Sequence, residues 1–310
     1  MEKYKIIEDE FIDFYGRKLY RIIRKDNVKG GFIESINNLS QQGNAWVSDN
    51  AKVYGNAKVT GSAEVSGNAE VFGNAKVTGN AKVCGNAKVY SDSEVYGNAE
   101  VFSDAKVCGN AKVCGNAKVY GNAEVSSNAK VCDDAKVYGN AEVFGDAKVF
   151  DNTKVYDNAK VSGNAEVSGD AKVFGDAWVF GNAEVSGNAK VFGKAWVYGN
   201  AKVFGYAEVF GNAKVSDNAK VSGNAEVSGD AKVFGNAILK DVKIEKITDY
   251  IIFGPIGSRN SFITICKEQN KIITGCFCGS KEEFLEAVER THSNNNHAQN
   301  YKKLIDFIFN

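Results

Sequence analysis

From residue 43 to residue 240 the chain repeats one pattern of small apolar and polar residues every six positions. The type copy is Gly-Asn-Ala-Lys-Val-Tyr at Gly115–Tyr120, and 33 copies run without insertion or deletion. The third residue is Ala in all but two copies, and the fifth is Val in all but one. Residues two apart on an extended segment share a face, so Ala and Val predict a buried face. Because the first two positions carry turn residues, each copy is predicted to be a four-residue strand and a corner.

Strands this short cannot bury a face alone, so the copies are expected to stack around a shared core. The Val-x-Gly-Asn-Ala-x pattern resembles the hexapeptide repeat of left-handed parallel β-helices, the fold of trimeric acyltransferases. The entry segment from Gly30 to Ser40, which leads into Gly43-Asn44-Ala45-Trp46-Val47, also resembles that of bacterial and phage hexapeptide-repeat proteins, some of which are labelled transferases from their fold. The resemblance implies three hexapeptides per triangular coil, and therefore a single-stranded left-handed parallel β-helix of about 11 coils.

Unpaired strand edges at the two ends of the repeats would promote aggregation. The residues outside the repeats are therefore predicted to form a cap at each end. Residues 1–42 are predicted to hold a β-hairpin, with strands at Tyr4–Phe14 and Lys18–Arg24, and a segment leading into the first coil. The repeats occupy residues 43–240. Residues 241–310 predict a small α+β domain, with strands at Tyr250–Phe253, Ser261–Lys267 and Lys271–Phe277 and with helices that begin after Ser280 and at Ala298.

Charge and cysteine usage narrow the possible partners of the protein and its redox compartment. The chain has 38 basic and 38 acidic residues, and no segment is basic enough to favour nucleic acid. No apolar stretch has the length of a signal peptide or a membrane span. Four of the seven cysteines occupy a repeat position that elsewhere takes Ser, Thr, Tyr or Phe. They are interpreted as tolerated small side chains rather than a disulfide framework, which predicts a reducing cytoplasm.

The repeats contain no histidine. Acyltransferases that the pattern resembles use a histidine base beside a cleft between subunits, and related carbonic anhydrases hold zinc with histidines. Neither pattern can be transferred to a position of this array, so the sequence favours a non-enzymatic role without a cofactor.

The sixth position is expected to face outward, and 17 of 33 copies place Tyr or Phe there. With 18 residues per coil, one column has seven successive aromatic residues, which predict either a structural ladder or a binding strip. These residues are Phe102, Tyr120, Tyr138, Tyr156, Phe174, Phe192 and Phe210.

Two further candidates lie in the C-terminal segment. The loop at Arg259 and Asn260 is a candidate binding loop, although it lacks the spacing of a phosphate-binding motif. Cys276, Cys278, His292 and His297 form the pattern C-x-C followed by H-x4-H, which could hold zinc. The C-x-C spacing departs from the usual zinc knuckle, so ordinary strand and loop positions are the preferred interpretation.

These observations predict a cytoplasmic, bacterial or phage-related scaffold that presents its β-helix surface to a protein partner or to another copy of itself as a homo-oligomer. Two alternatives stay open. One is a transferase that uses an acyl-coenzyme A or a nucleotide sugar at a site between subunits, and turnover of labelled acetyl-coenzyme A would identify it. The other is a protein that sequesters a small ligand, which native mass spectrometry would detect.

Overall fold

The structure, a computed structural model, describes residues 2–309. The chain divides into two compact units, residues 1–170 and 171–310. Both units contain hexapeptide repeats. The first also holds the residues that precede the repeats, and the second holds those that follow them.

In the first unit the repeats form three parallel sheets, and successive copies add a strand to each sheet in turn. Paired strands are therefore 18 residues apart, as for Lys82 opposite Glu100 and Val83 opposite Val101. Three hexapeptides thus make one coil, which confirms the predicted β-solenoid and the resemblance to hexapeptide-repeat β-helices.

The repeat strands of the first unit fall into three sets. The first sheet contains Lys52–Val53, Glu70–Val71, Lys88–Val89, Lys106–Val107, Glu124–Val125, Glu142–Val143 and Lys160–Val161. The second contains Trp46–Val47, Glu64–Val65, Lys82–Val83, Glu100–Val101, Lys118–Val119, Lys136–Val137 and Lys154–Val155. The third contains Lys58–Val59, Lys76–Val77, Glu94–Val95, Lys112–Val113, Lys130–Val131, Lys148–Val149 and Glu166–Val167.

The repeat strands have two residues, except Lys220–Ser222 and Ile238–Lys240 with three, so the predicted length of four was wrong. The first residue of each copy takes the left-handed conformation, for example Gly121 at φ +72° and Asp133 at φ +60°. That corner shortens the regularly paired segment. Adjacent coils stay hydrogen-bonded through the backbone amides of even-numbered repeat positions. For example, the Glu124 amide donates to the Ala141 carbonyl at 2.9 Å.

Side chains at the corners support this conformation. Where Asp replaces Gly, its carboxylate can accept from the next coil, as Asp49 Oδ2 does from the Gly67 amide at 2.9 Å. The Asn that follows forms the expected ladder: Asn56 Nδ2 donates to Asn74 Oδ1 at 3.0 Å. Such bonds satisfy polar groups that recur at every coil.

The core of the coils consists of the third and fifth positions. Ala and Val there are fully buried in coil after coil. Ser93 and Thr153 replace Ala, and their hydroxyl groups donate to the Tyr90 and Phe150 carbonyls at 2.8 and 2.7 Å. A buried hydroxyl is thereby tolerated because it is hydrogen-bonded.

The N-terminal hairpin is confirmed. Its strands are Tyr4–Phe14 and Arg17–Arg24, so the second begins one residue earlier than predicted. A third strand, Lys29–Ile33, pairs antiparallel with Arg17–Arg24 and parallel with Lys52–Val53. These strands cover the starting edge of the first sheet. A short 3-10 helix at Ile36–Asn38 follows.

In the second unit the repeats again form three parallel sheets. One contains Trp178–Val179, Trp196–Val197, Lys214–Val215 and Lys232–Val233. Another contains Lys172–Val173, Lys190–Val191, Glu208–Val209, Glu226–Val227 and Lys243–Ile244. The third contains Glu184–Val185, Lys202–Val203, Lys220–Ser222 and Ile238–Lys240. Lys243 lies opposite Glu226 at a spacing of 17, so the last coil is one residue short.

The C-terminal α+β domain is confirmed. Its antiparallel sheet contains Ile251–Ile256, Ser261–Cys266, Lys271–Thr274 and Phe277–Gly279, with 3-10 helices at Ile247–Asp249 and Lys267–Gln269. Helix α1 spans Lys281–His292 behind the predicted Ser280 capping box, and helix α2 spans Asn296–Phe309. Ile263, Ile265, Phe284 and Ile305 belong to the core between sheet and helices.

Candidate functional site

The predicted aromatic column consists of stacked rings within each unit. In the first unit Phe102, Tyr120, Tyr138 and Tyr156 stack at centroid distances of 4.8–4.9 Å, with planes within 3° of parallel. Neighbouring rings cover each other's faces, and burial raises the pKa of Tyr120 and Tyr138. The column therefore has a clear structural role as a ladder.

The same column in the second unit behaves alike. Phe174, Phe192 and Phe210 stack at 4.8 and 4.9 Å. A further ladder, which the sequence pattern did not single out, contains Tyr54, Phe72 and Tyr90 at 4.9 Å spacing. Phe14 of the hairpin packs edge-on against Tyr54 at 5.7 Å, so this second ladder helps to seat the hairpin.

The outward fourth position offers a more selective signal, which the sequence analysis missed. It is Lys in 19 copies and Glu in 10, leaving four exceptions. Lys and Glu there often form ion pairs between coils, such as Lys118 with Glu100 at 2.8 Å and Lys202 with Glu184 at 2.7 Å. The four exceptions are Trp46, Trp178, Trp196 and Ile238.

Two exceptions lie under the chain's own terminal segments. Trp46 packs edge-on against Tyr4 of the hairpin at 6.4 Å, and the Arg24 guanidinium lies 5.2 Å from its ring centroid. Ile238 lies where the C-terminal sheet meets the last coils, and its amide donates to Thr264 Oγ1 at 3.0 Å. In both cases the apolar fourth position coincides with a place where a terminal segment packs on the coils, through the Trp46 ring at one end and through the Ile238 amide at the other.

The other two exceptions form an aromatic cluster in the second unit. Trp178 and Trp196 are partners in adjacent strands of one sheet, with ring centroids 5.9 Å apart. Phe180 lies 4.6 Å from Trp178 and stacks on Tyr198 at 5.0 Å. We call Trp178, Phe180, Trp196 and Tyr198 the Trp cluster. Because fourth-position side chains point away from the Ala/Val core, the cluster lies on the outer face of its sheet.

The Trp cluster remains open to solvent. Trp196 is 36% exposed. The ammonium group of Lys214 lies 4.3 Å from the Trp196 ring centroid, a cation–π contact at the edge of the cluster. Four large rings that adjoin on an outer sheet face are the kind of apolar patch that marks a contact site.

The cysteines require one correction. Cys114 and Cys132 form a disulfide, with a Cα–Cα distance of 4.5 Å, so the prediction that the repeat cysteines are only tolerated small side chains was wrong for this pair. The signal was available, because positions 18 apart lie in adjacent coils. Cys84 and Cys108 have no cysteine 18 residues away and stay free. The cysteine argument for a reducing compartment is correspondingly weaker.

The C-terminal candidates are only partly brought together. Arg259 Nη1 donates to Cys276 Sγ at 3.8 Å, and this contact lowers the pKa of the Cys276 thiol. Asn260 is a left-handed turn residue at φ +47°. The thiol of Cys278 donates instead to the Lys240 carbonyl at 3.7 Å.

The two histidines lie near each other, with the rings of His292 and His297 5.8 Å apart. Among residues 2–309, no three His, Cys, Asp or Glu side chains are grouped so that they could hold a metal ion. The four residues of the C-x-C and H-x4-H pattern are thus not assembled as a ligand set.

Neither helix in the described part of the chain has the length and apolar character needed to cross a membrane.

Comparison with known proteins gives distant structural likenesses. No family model matches the chain, and no curated protein matches it. Among solved structures, an Arabidopsis UDP-N-acetylglucosamine acyltransferase is 18% identical with a TM-score of 0.43, covering 53% of this chain and 70% of its own. A candidate acetyltransferase from Desulfovibrio desulfuricans G20 is 9% identical with a TM-score of 0.28, covering 90% of this chain and 81% of its own. Neither likeness carries an argument about this chain, since both TM-scores are below 0.5.

Proposed function

We propose that this protein is a non-enzymatic scaffold that associates with a second copy of itself through the Trp cluster. The observation that carries the proposal is the pattern of the four fourth-position exceptions. Trp46 and Ile238 lie against terminal segments of the chain, whereas Trp178 and Trp196 adjoin on a sheet face with Trp196 partly exposed. Two apolar fourth positions thus coincide with places where a segment of the chain packs on the coils, and the proposal extends this pattern from the chain's own segments to a second copy.

Burying Trp196 in an interface would contribute a free energy of the size expected of a residue at the interface centre. Trp196 exposes 36% of its surface. An aromatic side chain presents up to ~250 Å², so covering this part would remove ~90 Å² from water and contribute ~2 kcal/mol. Trp and Tyr are enriched among the few residues that dominate interface energies. Several adjoining rings could therefore anchor an interface.

A second copy suits the cluster because the contact is self-complementary. An interface with twofold symmetry places one patch against the same patch, so that the rings of one copy can pack on those of the other. The formal net charge of zero, from 38 basic and 38 acidic residues, leaves little long-range repulsion between two copies.

The test is sedimentation velocity of the purified full chain over a wide range of concentrations. The variant Trp178→Glu/Trp196→Lys is charge-neutral and copies the Glu184–Lys202 ion pair of the same unit, so its coils should fold. The matched control is Phe204→Ser, which removes a 39% exposed ring at a sixth position away from the Trp cluster.

We expect the wild type and Phe204→Ser to associate as concentration rises and the double variant to remain a monomer. A wild type that stays monomeric at every concentration contradicts the proposal. Equal association of the double variant also contradicts it, provided that its circular dichroism and unfolding midpoint match those of the wild type.

A further inference from the structure

The C-terminal domain contains a cavity that the scaffold role does not use. Its volume is about 330 Å³, and it lies where the Arg259 loop and the Cys276 turn meet helices α1 and α2. The size is near the lower limit for small-molecule sites. The lining residues that matter here are Arg259, Cys276, Phe277, Phe284, Arg290 and Tyr301.

The cavity lining carries two arginines and no carboxylate. These arginines are Arg259 and Arg290. Within the described residues, neither arginine forms an ion pair. Their guanidinium groups thus retain donors that suit a carboxylate or phosphate group.

The floor of the cavity, in contrast to the two arginines, is apolar. Phe284 packs edge-to-face against Phe277 at 5.3 Å and against Tyr301 at 5.4 Å. Phe284 and Tyr301 are buried, 3% and 8% exposed, so the floor of the cavity is part of the packed domain core. A planar apolar group could lie against these rings.

The loop that carries Arg259 is also held in place. Gly257 has φ +76°, and a Cβ at this position would collide with the Tyr301 hydroxyl. Glycine therefore lets the loop approach helix α2 closely, two residues before Arg259. At the rim, Arg259 Nη1 contacts the exposed Cys276 thiol, which makes this thiol a natural reporter of occupancy.

We propose that this cavity binds a small organic anion, with its acidic group held by Arg259 and Arg290 and its apolar body placed against Phe277, Phe284 and Tyr301. The proposal does not depend on self-association, because the cavity lies entirely within residues 258–301.

The experiment uses the full chain and four probes: phenyl phosphate, benzoate, inorganic phosphate and benzyl alcohol. Binding is measured by titration calorimetry. Occupancy is measured separately as the rate at which Cys276 is alkylated by iodoacetamide, resolved by peptide mass spectrometry. Phenyl phosphate and benzoate distinguish the two acidic groups, and the other two probes each lack one half of the proposed ligand.

We expect phenyl phosphate, benzoate or both to bind about tenfold more tightly, or better, than benzyl alcohol and inorganic phosphate. The aromatic anion that binds should also slow the alkylation of Cys276. Arg259→Gln and Arg290→Gln should each weaken binding by about tenfold, since a charge-assisted hydrogen bond is lost. Lys303→Gln is the control, because Lys303 is an exposed cation of helix α2 outside this cavity.

Arg290→Gln is the decisive variant, since it leaves the Arg259 contact with Cys276 intact. Unchanged affinity in Arg290→Gln overturns the proposal, as does equal binding of benzyl alcohol or the absence of binding by both aromatic anions. Both arginines are exposed, so their replacement should not unfold the domain, and unchanged circular dichroism checks this.

Discussion

Replacing both Cys114 and Cys132 with Ser removes the covalent tie between two adjacent coils. Nine of the 33 copies already carry Ser at this repeat position, so the replacement itself should pack normally. The effect of the double variant is therefore expected to come from the lost disulfide. Cys108→Ser, which changes a free cysteine at the same repeat position, is the matched control.

The expected magnitude follows from the length of the closed loop. The two cysteines are 18 residues apart. Closing a loop of that length in the unfolded chain is worth about 3 kcal/mol by the chain-entropy estimate, which is best treated as an upper value. In a repeat array each coil contacts only its neighbours, so the loss should appear mainly in the coils that the disulfide joins.

Two assays follow. Thiol titration in denaturant without reductant should find five reactive cysteines, because two of the seven are paired. Native-state hydrogen exchange should then be up to roughly a hundredfold faster in the double Ser variant at amides that bond across these coils. Examples are Lys112 and Asn116, which donate to the Ala129 and Asp133 carbonyls at 2.9 and 2.7 Å. Seven reactive thiols, or unchanged exchange in the double variant, would refute the reasoning.

Three further predictions concern the repeats. Tyr138→Ser should lower the free energy of unfolding by about 1–3 kcal/mol, since it removes two stacked contacts at 4.9 Å, whereas Phe204→Ser should cost less in the same urea titration. Gly121→Ala should lower the free energy of unfolding by about 1–2 kcal/mol, because φ is +72° at this position. Gly121→Asp should have a higher urea midpoint than Gly121→Ala, because its carboxylate can accept from the next coil as that of Asp49 does. Lys76 and Lys112 lower the pKa of Glu94, so its contribution is present above the unfolded pKa and is lost as pH falls through the folded value. Glu94→Gln should therefore lower stability by roughly 0.5 kcal/mol at pH 7 and by less at pH 3, and an equal loss at both values would exclude this origin.

The fold was predictable because one local rule repeats without interruption. Ala and Val two residues apart define the buried face, and stacking alone can complete a core from it. Strand length was less accessible, because it depends on which corner residue takes positive φ. The structure assigns that conformation to Gly121 and its equivalents, while the Asn that follows forms the ladder.

The candidate sites were harder to predict because they depend on departures from the rule. The stacked sixth-position column attracted notice by its frequency, yet its rings largely cover one another. Trp178 and Trp196 are rare at their repeat position, and only the comparison with Trp46 and Ile238 gives them meaning. The disulfide was predictable from the 18-residue period, since Cys114 and Cys132 share a column. The cavity at Arg259 lies outside the repeats, where no periodicity guides the prediction.

The most direct test of self-association through the Trp cluster is oxidative footprinting of the three tryptophans by mass spectrometry. Dilute and concentrated samples of the wild-type protein would be compared. Trp46 lies under the hairpin and serves as the internal reference. Tyr206, 65% exposed in the same unit, reports on surface away from the cluster. Self-association through the Trp cluster predicts that Trp196 becomes protected as concentration rises while Tyr206 and Trp46 do not change. Unchanged oxidation of Trp196, or protection of Tyr206 alone, would contradict it.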